Sequence, residues 1–552
     1  MNIGINKKTS YNTVQPAILR CAPYCGCTTR WLLQQNLTME KSQLIRKIDF
    51  GQRIAEDEKD SLYKYFSETV QWEQIEDDEI DIVFGSKGSG KSALFARLIG
   101  PNYIKSKKRI LVIPGENLTG APIFETINEE ELIGGRSVEE LRLMRGHEFD
   151  QLEKRLIKIW KIYFLMLIAN ELKRLELMDR ELELTFNDLE RLGVLEESAN
   201  LKDVFENVVK YVNRANVTIG VKLGPVELGL EKQKSGEEKK KDSLDSFDTS
   251  AVFKSIDSYL QRIDRPIWIA LDRLDAAFAQ SGILRMSFLR SLLRVYLDLK
   301  VYSQVKLKLF LRDDIWDEII SVSSNRGFVE LSHIAKYSII EWRKESLLNL
   351  IVRRILENQN IINFFSLEKE KVLKNFKDQS DLFNSMFPKE LCETERGSAF
   401  DWIYNELEDG NGQVFPRDII HFFQELKIEQ RKLFKIGNAN FERELQLFSI
   451  SAVEKSLSSV SEAKLNQTVF AEYPEDKGNI RALTEKPNFL SIEDLSKVWF
   501  DEFFMKKEKS ADIVRGIASK LCKIGILRES DDKSNYDYSV GNIYKRVLRI
   551  EG

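Results

Sequence analysis

The apolar positions change period several times along the chain after Met39, and each change predicts an element. Ile54, Leu62, Tyr65 and Phe66 stand among charges at roughly helical spacing, which predicts an amphipathic helix packed on the domain that follows. Ile80-Asp81-Ile82-Val83-Phe84 reads as a short strand, Lys91 to Leu98 as a helix, and the turn between them is rich in glycine. A second strand, Arg109 to Ile113, is ended by Pro114-Gly115. Glu129 to Leu195 is a long, charged, helical stretch. Within it the run Ile162 to Ala169 is too short to cross a bilayer and reads as buried helix. Asn216 to Leu230 alternates Val217, Ile219, Val221 and Leu223 around glycines, the pattern of a hairpin. Glu231 to Lys241 mixes charges without an apolar anchor and reads as a solvated loop.

Ile267 to Leu271 and Lys306 to Leu311 are two further strands joined by a helical stretch rich in Leu and Arg. This alternation predicts an α/β fold with a parallel, helix-covered sheet. From Arg343 to about Gln430 the pattern is helical, and from Ser491 onward helices lead into a strand-turn-strand; no fixed repeat is evident. With 552 residues the chain is too long for one core. The expected division is a flexible extension over 1–46, a core over 47–342 interrupted at about 129–250, a helical lid over 343–435, a connector over 436–490 and a small domain over 491–552.

Composition narrows the class. Hydrophobic content of 43% with 31% charged residues describes an ordinary soluble protein, and a formal charge of −4 argues against a surface coated for nucleic acid. Cys21, Cys25 and Cys27 crowd the first thirty residues with no histidine nearby, so the cluster reads as incidental and not as a zinc site. No continuous apolar leader is present, and the expected location is cytoplasmic, away from any membrane. Residues 1–38 are either a flexible extension or the product of an upstream start.

The candidate chemistry begins at Gly85-Ser86-Lys87-Gly88-Ser89-Gly90-Lys91-Ser92, a phosphate loop between a strand and a helix. Gly85, Gly88 and Gly90 let the backbone curl so that its N-H groups face phosphate oxygens. Lys91 would sit between the β- and γ-phosphates of ATP, Ser92 would ligate Mg²⁺, and Ala93 completes the nucleotide-binding set. Asp272, directly after its strand, is the expected second Mg²⁺ ligand at the sheet's carboxyl edge. Asp275 could polarise the attacking water or simply cap the next helix; Ala276 stands where many such ATPases carry glutamate, so turnover is expected to be slow. Arg312, at the end of its strand, could sense the γ-phosphate or form a surface ion pair with Asp313 or Asp314. Arg417, behind Pro416, could reach back from the lid or be a plain helix-start arginine, and Arg273 is a candidate finger residue.

The ordered set Asp49-Phe50-Gly51, Ala55-Glu56-Asp57-Glu58, the Gly85 loop, Leu271-Asp272-Arg273-Leu274-Asp275, Leu311-Arg312-Asp313-Asp314-Ile315, Glu341-Trp342 and Pro416-Arg417-Asp418 resembles bacterial P-loop ATPases related to the STAND, KAP and origin-recognition ATPases. The ATPase subunit of the RADAR defence system is a distant, larger relative by the same resemblance. It covers roughly residues 47–552 and implies an additional-strand, AAA/STAND-like core, a helical lid, a C-terminal winged helix and often an antiphage setting.

In the winged-helix reading, Ala511 to Ile524 is the third helix, Ile526-Leu527 and Tyr536 to Val540 are wing strands, and Ile543 to Leu548 closes the domain. Lys506, Lys507, Lys509, Arg515, Lys520 and Lys523 could meet DNA phosphates, but Glu529, Asp531 and Asp532 at the wing tip oppose that. His147, His333 and His421 are isolated and read as structural or surface residues. The first functional expectation is a switch or scaffold ATPase whose nucleotide state controls self-association or the action of a protein partner or effector. The alternative is a DNA-acting ATPase of the origin-recognition or loader type. Asp275→Asn should leave ATP binding intact and abolish hydrolysis, measured as phosphate release; unchanged release would remove Asp275 from the chemistry.

Overall fold

The computed structural model describes residues 40–58, 61–100, 109–117, 122–125, 127–144, 147–191, 200–218, 248–274, 282–323, 332–392, 397–439, 441, 443–500, 510–530 and 536–550. Outside them lie Cys21, Cys25 and Cys27, Asp275 and Ala276, the charged run 231–241, Lys506, Lys507 and Lys509, and Asp531 and Asp532.

The fold is α/β, around a five-stranded sheet in which every pairing is parallel. The strands are β1 (Ile82–Phe84), β2 (Leu111–Pro114), β3 (Ile267–Leu271), β4 (Val305–Leu311) and β5 (Tyr337–Ile339), in the spatial order β2-β3-β4-β1-β5. Side chains alternate across it as the pleat requires. Ile82, Phe84, Ile113, Ile269 and Leu309 face one buried cluster, and Val83, Val112, Trp268 and Phe310 face another. The second face is covered by α1 (Lys91–Ile99) through Leu94, Phe95 and Leu98, with Trp72 beside them.

The first face is covered by α2 (His147–Arg174), α3 (Leu201–Thr218) and α4 (Gly282–Leu299). The helices expected as an insertion therefore complete the core. Trp160 of α2 meets Phe288 of α4 with centroids 4.4 Å apart, and Tyr163 meets Phe205 of α3 at 5.1 Å. The Tyr163 hydroxyl donates to the carbonyl of Gly115, just past β2, at 3.0 Å. The hairpin expected from Asn216 begins inside α3, which continues to Thr218; its remainder lies outside the described residues.

Two other expectations change. The amphipathic helix from Ile54 to Phe66 is a 3-10 turn at Ala55–Asp57 and a short helix at Leu62–Tyr65. A side chain turned inward explains the difference. Glu58 is 3% exposed and forms a bidentate pair with Arg354 of α5 (Lys344–Leu356), at 2.6 and 2.8 Å, while the backbone N-H of Gln52 donates to Glu58 Oε1 at 2.8 Å. The extension expected to reach residue 46 is already ordered: residues 40–47 are helical, and Leu44 and Ile45 are buried.

Those two residues join a third cluster that continues through α5, α6 (Pro416–Lys435), α7 (Ile450–Ala463), α8 (Ser510–Lys523) and α9 (Asn542–Leu548). It also takes in a small antiparallel sheet of β6 (Phe489–Leu490), β8 (Tyr538–Val540) and β7 (Leu527–Glu529), with β8 central. The loop before α6 meets this sheet with almost no space. A Cβ on Gly410 would stand 2.3 Å from the Leu527 carbonyl oxygen, one on Gly541 2.4 Å from the Gly410 nitrogen, and Gly410 N-H donates to Gly525 O at 2.6 Å.

Gly51 tests the Glu58 turn. Its φ is +74°, and an added Cβ would lie 1.9 Å from Glu58 Oε1 and 2.0 Å from an Arg354 nitrogen. Gly51→Ala should destabilise by about 3 kcal/mol or more, since it both strains the backbone and breaks a buried pair. Gly516→Ala, with nothing within 4 Å inside α8, should gain about 0.5–1 kcal/mol. Urea midpoints of the two variants check the contrast.

Candidate functional site

β1 delivers the chain to the carboxyl edge of the sheet, where Gly85 N-H still bonds to Leu311 O at 3.2 Å before the backbone turns away. Gly88 and Gly90 adopt φ of +89° and +101°, conformations that cost a side-chain-bearing residue free energy, and Gly90 is the N-cap of α1. The Lys91 ammonium folds back over the loop and donates to Gly85 O at 2.5 Å and Ser86 O at 2.9 Å. Ser86 Oγ donates to Asp313 at 2.6 Å, and Trp342 Nε1 donates to Ser89 O at 2.7 Å, so the loop is braced from two sides. Ser92 and Ala93 sit on the first turn of α1 and face the same space.

That space is a cavity of about 300 Å³, lined by residues 87–94 together with Asp272, Arg273, Arg312 and Arg417. Its far wall is the turn that Glu58 holds, including Gln52, Tyr65 and Thr69. The structure thus brings together every described residue of the expected nucleotide set except Gly85 and Ser86, which lie at the base of the loop. Asp275 lies outside the described residues.

Asp272 follows β3 and is 2% exposed. Arg273 next to it has φ +60°, a left-handed conformation uncommon for a non-glycine residue and concentrated at functional positions. Arg312 leaves the end of β4 and makes a fork to Asp314 at 2.9 and 2.6 Å, with a further bond to Glu472 at 3.1 Å. It therefore lines the cavity and also makes the ion pair with Asp314 that was weighed against a sensing role. Burial pushes the Asp314 carboxyl up, but the Arg312 hydrogen bonds and charge outweigh this and hold it below its usual range. Arg417, second residue of α6, packs on the loop: its Cβ is 3.2 Å from where a Cβ on Gly88 would stand. Its neighbour Asp418 accepts from Lys464 at 2.6 Å, a pair buried on both sides.

Of the histidines, His333 is exposed, and the side chain of His147 lies outside what is described. His421 accepts from Arg53 at 3.2 Å; burial and the Arg53 charge push its pKa down to about 4, so it is neutral at pH 7.

Sequence reasoning passed over two acidic residues at this edge. Lys87 of the loop forms an ion pair with Glu472, a residue distant in sequence that no local pattern marks. Glu116 had a usable signal. The β2–β3 register, Leu111↔Ile267 through Pro114↔Ala270, continues to set Glu116 level with Asp272. It is fully buried. Oε1 accepts the N-H groups of Asn117 and Ile123 at 2.7 and 2.8 Å, while Oε2 has no hydrogen-bond partner among the described residues. Burial pushes its carboxyl up to about 7, against the pull of its two backbone bonds and of Arg273.

No protein-family model matches the sequence. A protein of Escherichia coli (strain K12) described as "Putative transposon gamma-delta 80.3 kDa protein" is 26% identical over 280 residues, 50% of this chain. The matched region spans 35% of that protein's length.

The raised carboxyl of Glu116 has a pH consequence. Its folded pKa lies above its unfolded value of 4.5, so the stability it contributes is present below pH 4.5 and is lost as pH rises through about 7. Glu116→Gln keeps an acceptor for both backbone bonds and removes the ionisation. The variant should be more stable than wild type above pH 7, by on the order of 3 kcal/mol at most, with the gap closing below pH 5. Thermal unfolding at pH 5 and pH 8 measures it.

Proposed function

We propose that this chain binds ATP with Mg²⁺ and hydrolyses it slowly, as a P-loop switch whose nucleotide state governs its helical half. The observation that carries this reading is the single cavity shared by the glycine loop, the buried Asp272 and two arginines from different elements. The sheet order supports it, because β4 lies between the loop strand β1 and the Asp272 strand β3, the arrangement of additional-strand ATPases.

The residues fit the ligand chemically. The positive-φ glycines open the loop backbone, and the positive end of the α1 dipole at Lys91 favours anionic phosphates. Lys91 now caps two carbonyls and would exchange them for phosphate oxygens. Ser92 and Asp272 would hold Mg²⁺, which when bound supplies positive charge against the phosphates. Arg312 and Arg417 would register the terminal phosphate, one from the sheet and one from the lid. Asp275 remains the candidate to orient water.

The small sheet with α8 and α9 fits a winged helix that docks on protein. Among the described residues, Lys520 pairs with Glu475 and Asp476, Arg515 with Asp512, and Arg528 with Glu408, while Lys506, Lys507 and Lys509 lie outside them. A partner or self-assembly role, with antiphage defence as the setting, is favoured over a DNA-acting one.

Calorimetric titration with Mg·ATP tests the reading. Wild type should bind saturably. Lys91→Ala should lose at least about tenfold in affinity, the equivalent of roughly 1.4 kcal/mol, while retaining the wild-type thermal midpoint within a few degrees. Equal affinity of the two proteins would overturn the assignment.

A further inference from the structure

Two cations of the cavity are already satisfied by one carboxylate from the other half of the chain. Glu472 pairs with Lys87 on the glycine loop and accepts from Arg312 at 3.1 Å. It is 13% exposed and Arg312 14%, so the second contact is largely shielded from solvent, whereas Lys87 is 36% exposed and its pairing is softer. A polyphosphate entering the cavity would meet the same two cations and place like charge beside Glu472. In a shielded site that juxtaposition is unfavourable, so the carboxylate and the terminal phosphate compete for one position.

Glu472 is also mechanically connected. It lies at the end of a continuous segment in which α7 runs into a π-helical turn at Lys464–Val469 and then into Phe470–Glu472. Such turns recur where a helix is put to functional use. Lys464, at the start of the turn, holds Asp418 beside Arg417. Immediately past Glu472, Asp476 and Glu475 hold Lys520 of α8 at 2.5 and 3.0 Å. A displaced Glu472 therefore pulls on the lid at one end and on α8 at the other.

We propose that Glu472 is a built-in anionic competitor at this site: it holds Lys87 and Arg312 of the cavity wall, and a nucleotide's terminal phosphate expels it, freeing residues 464–476 and passing the change to α8. The inference rests on the ATP reading above and adds its regulation. By linkage, the cost of expelling Glu472 is subtracted from nucleotide affinity, so removing the carboxylate returns it.

The test uses the full chain and the non-hydrolysable β,γ-imido analogue of ATP with Mg²⁺. Glu472→Gln, which keeps the side-chain volume, should bind the analogue at least about fivefold more tightly than wild type, the lower end of ordinary coupling between sites. Hydrogen-deuterium exchange should rise over 464–476 and 510–523 when wild type takes up the analogue. The same segments should already exchange faster in Glu472→Gln without it. Lys520→Met, which changes no residue of the cavity, should keep the response at 464–476, lose the one at 510–523 and, by the same linkage, bind the analogue no more weakly than wild type. Equal or weaker affinity in Glu472→Gln, or no nucleotide-dependent change at 464–476, overturns the competitor while leaving ATP binding intact. Absence of binding in wild type and variant alike overturns both.

Discussion

Glu58 and Arg354 are a carboxylate and a guanidinium taken almost wholly out of water, and much of the structure is arranged so that both stay bonded. An ion pair that loses its hydration is retained only if nearly every donor and acceptor is matched. Here the fork is closed at both nitrogens, Arg354 also donates to Phe50 O at 2.8 Å, and its guanidinium lies over the Tyr65 ring at 4.9 Å. The geometry requires Gly51 in its left-handed conformation and costs the segment its helix. In return the first patterned residues of the chain are fixed against α5, and with them the far wall of the cavity. The sheet contributes the loop and Asp272; the pair sets what they face.

How much of this was legible depended on the distance over which each residue acts. The glycine loop and the strands β3 and β4 were readable because continuous apolar runs, buried on both faces, mark parallel strands. Lys308 within β4 interrupts the run, and its charge is met by Asp78 and Asp81, far back in the sequence, at 2.7 and 2.9 Å. The edge strand β5 was not readable, since Tyr337 and Ile339 are about half exposed and the segment carries no such run. The Ile54 to Phe66 segment has helical spacing, but a tertiary carboxylate bond overrides a local preference of a few tenths of a kcal/mol per residue.

The site divides in the same way. Lys91, Ser92 and Asp272 were legible as candidates because the chemistry expected of them demands a fixed place beside a strand end, and the structure lines one cavity with them. Arg312 and Arg417 were found as residues, but their environments come from elsewhere in the chain, Asp314 and Glu472 for one and the Gly88 backbone for the other. Glu116 could have been found by extending the β2–β3 register two residues. Glu472 could not. It reaches the loop only because the helical half folds back over the sheet.

The close approach of Gly410, Gly525 and Gly541 bears on how the helical half can move. Backbone against backbone, with no side chain between them, leaves no room for rolling or sliding at that seam. The lid and the small antiparallel sheet thus share their degrees of freedom and behave as a single lever. Were Arg417 to shift, the small sheet would have to shift with it.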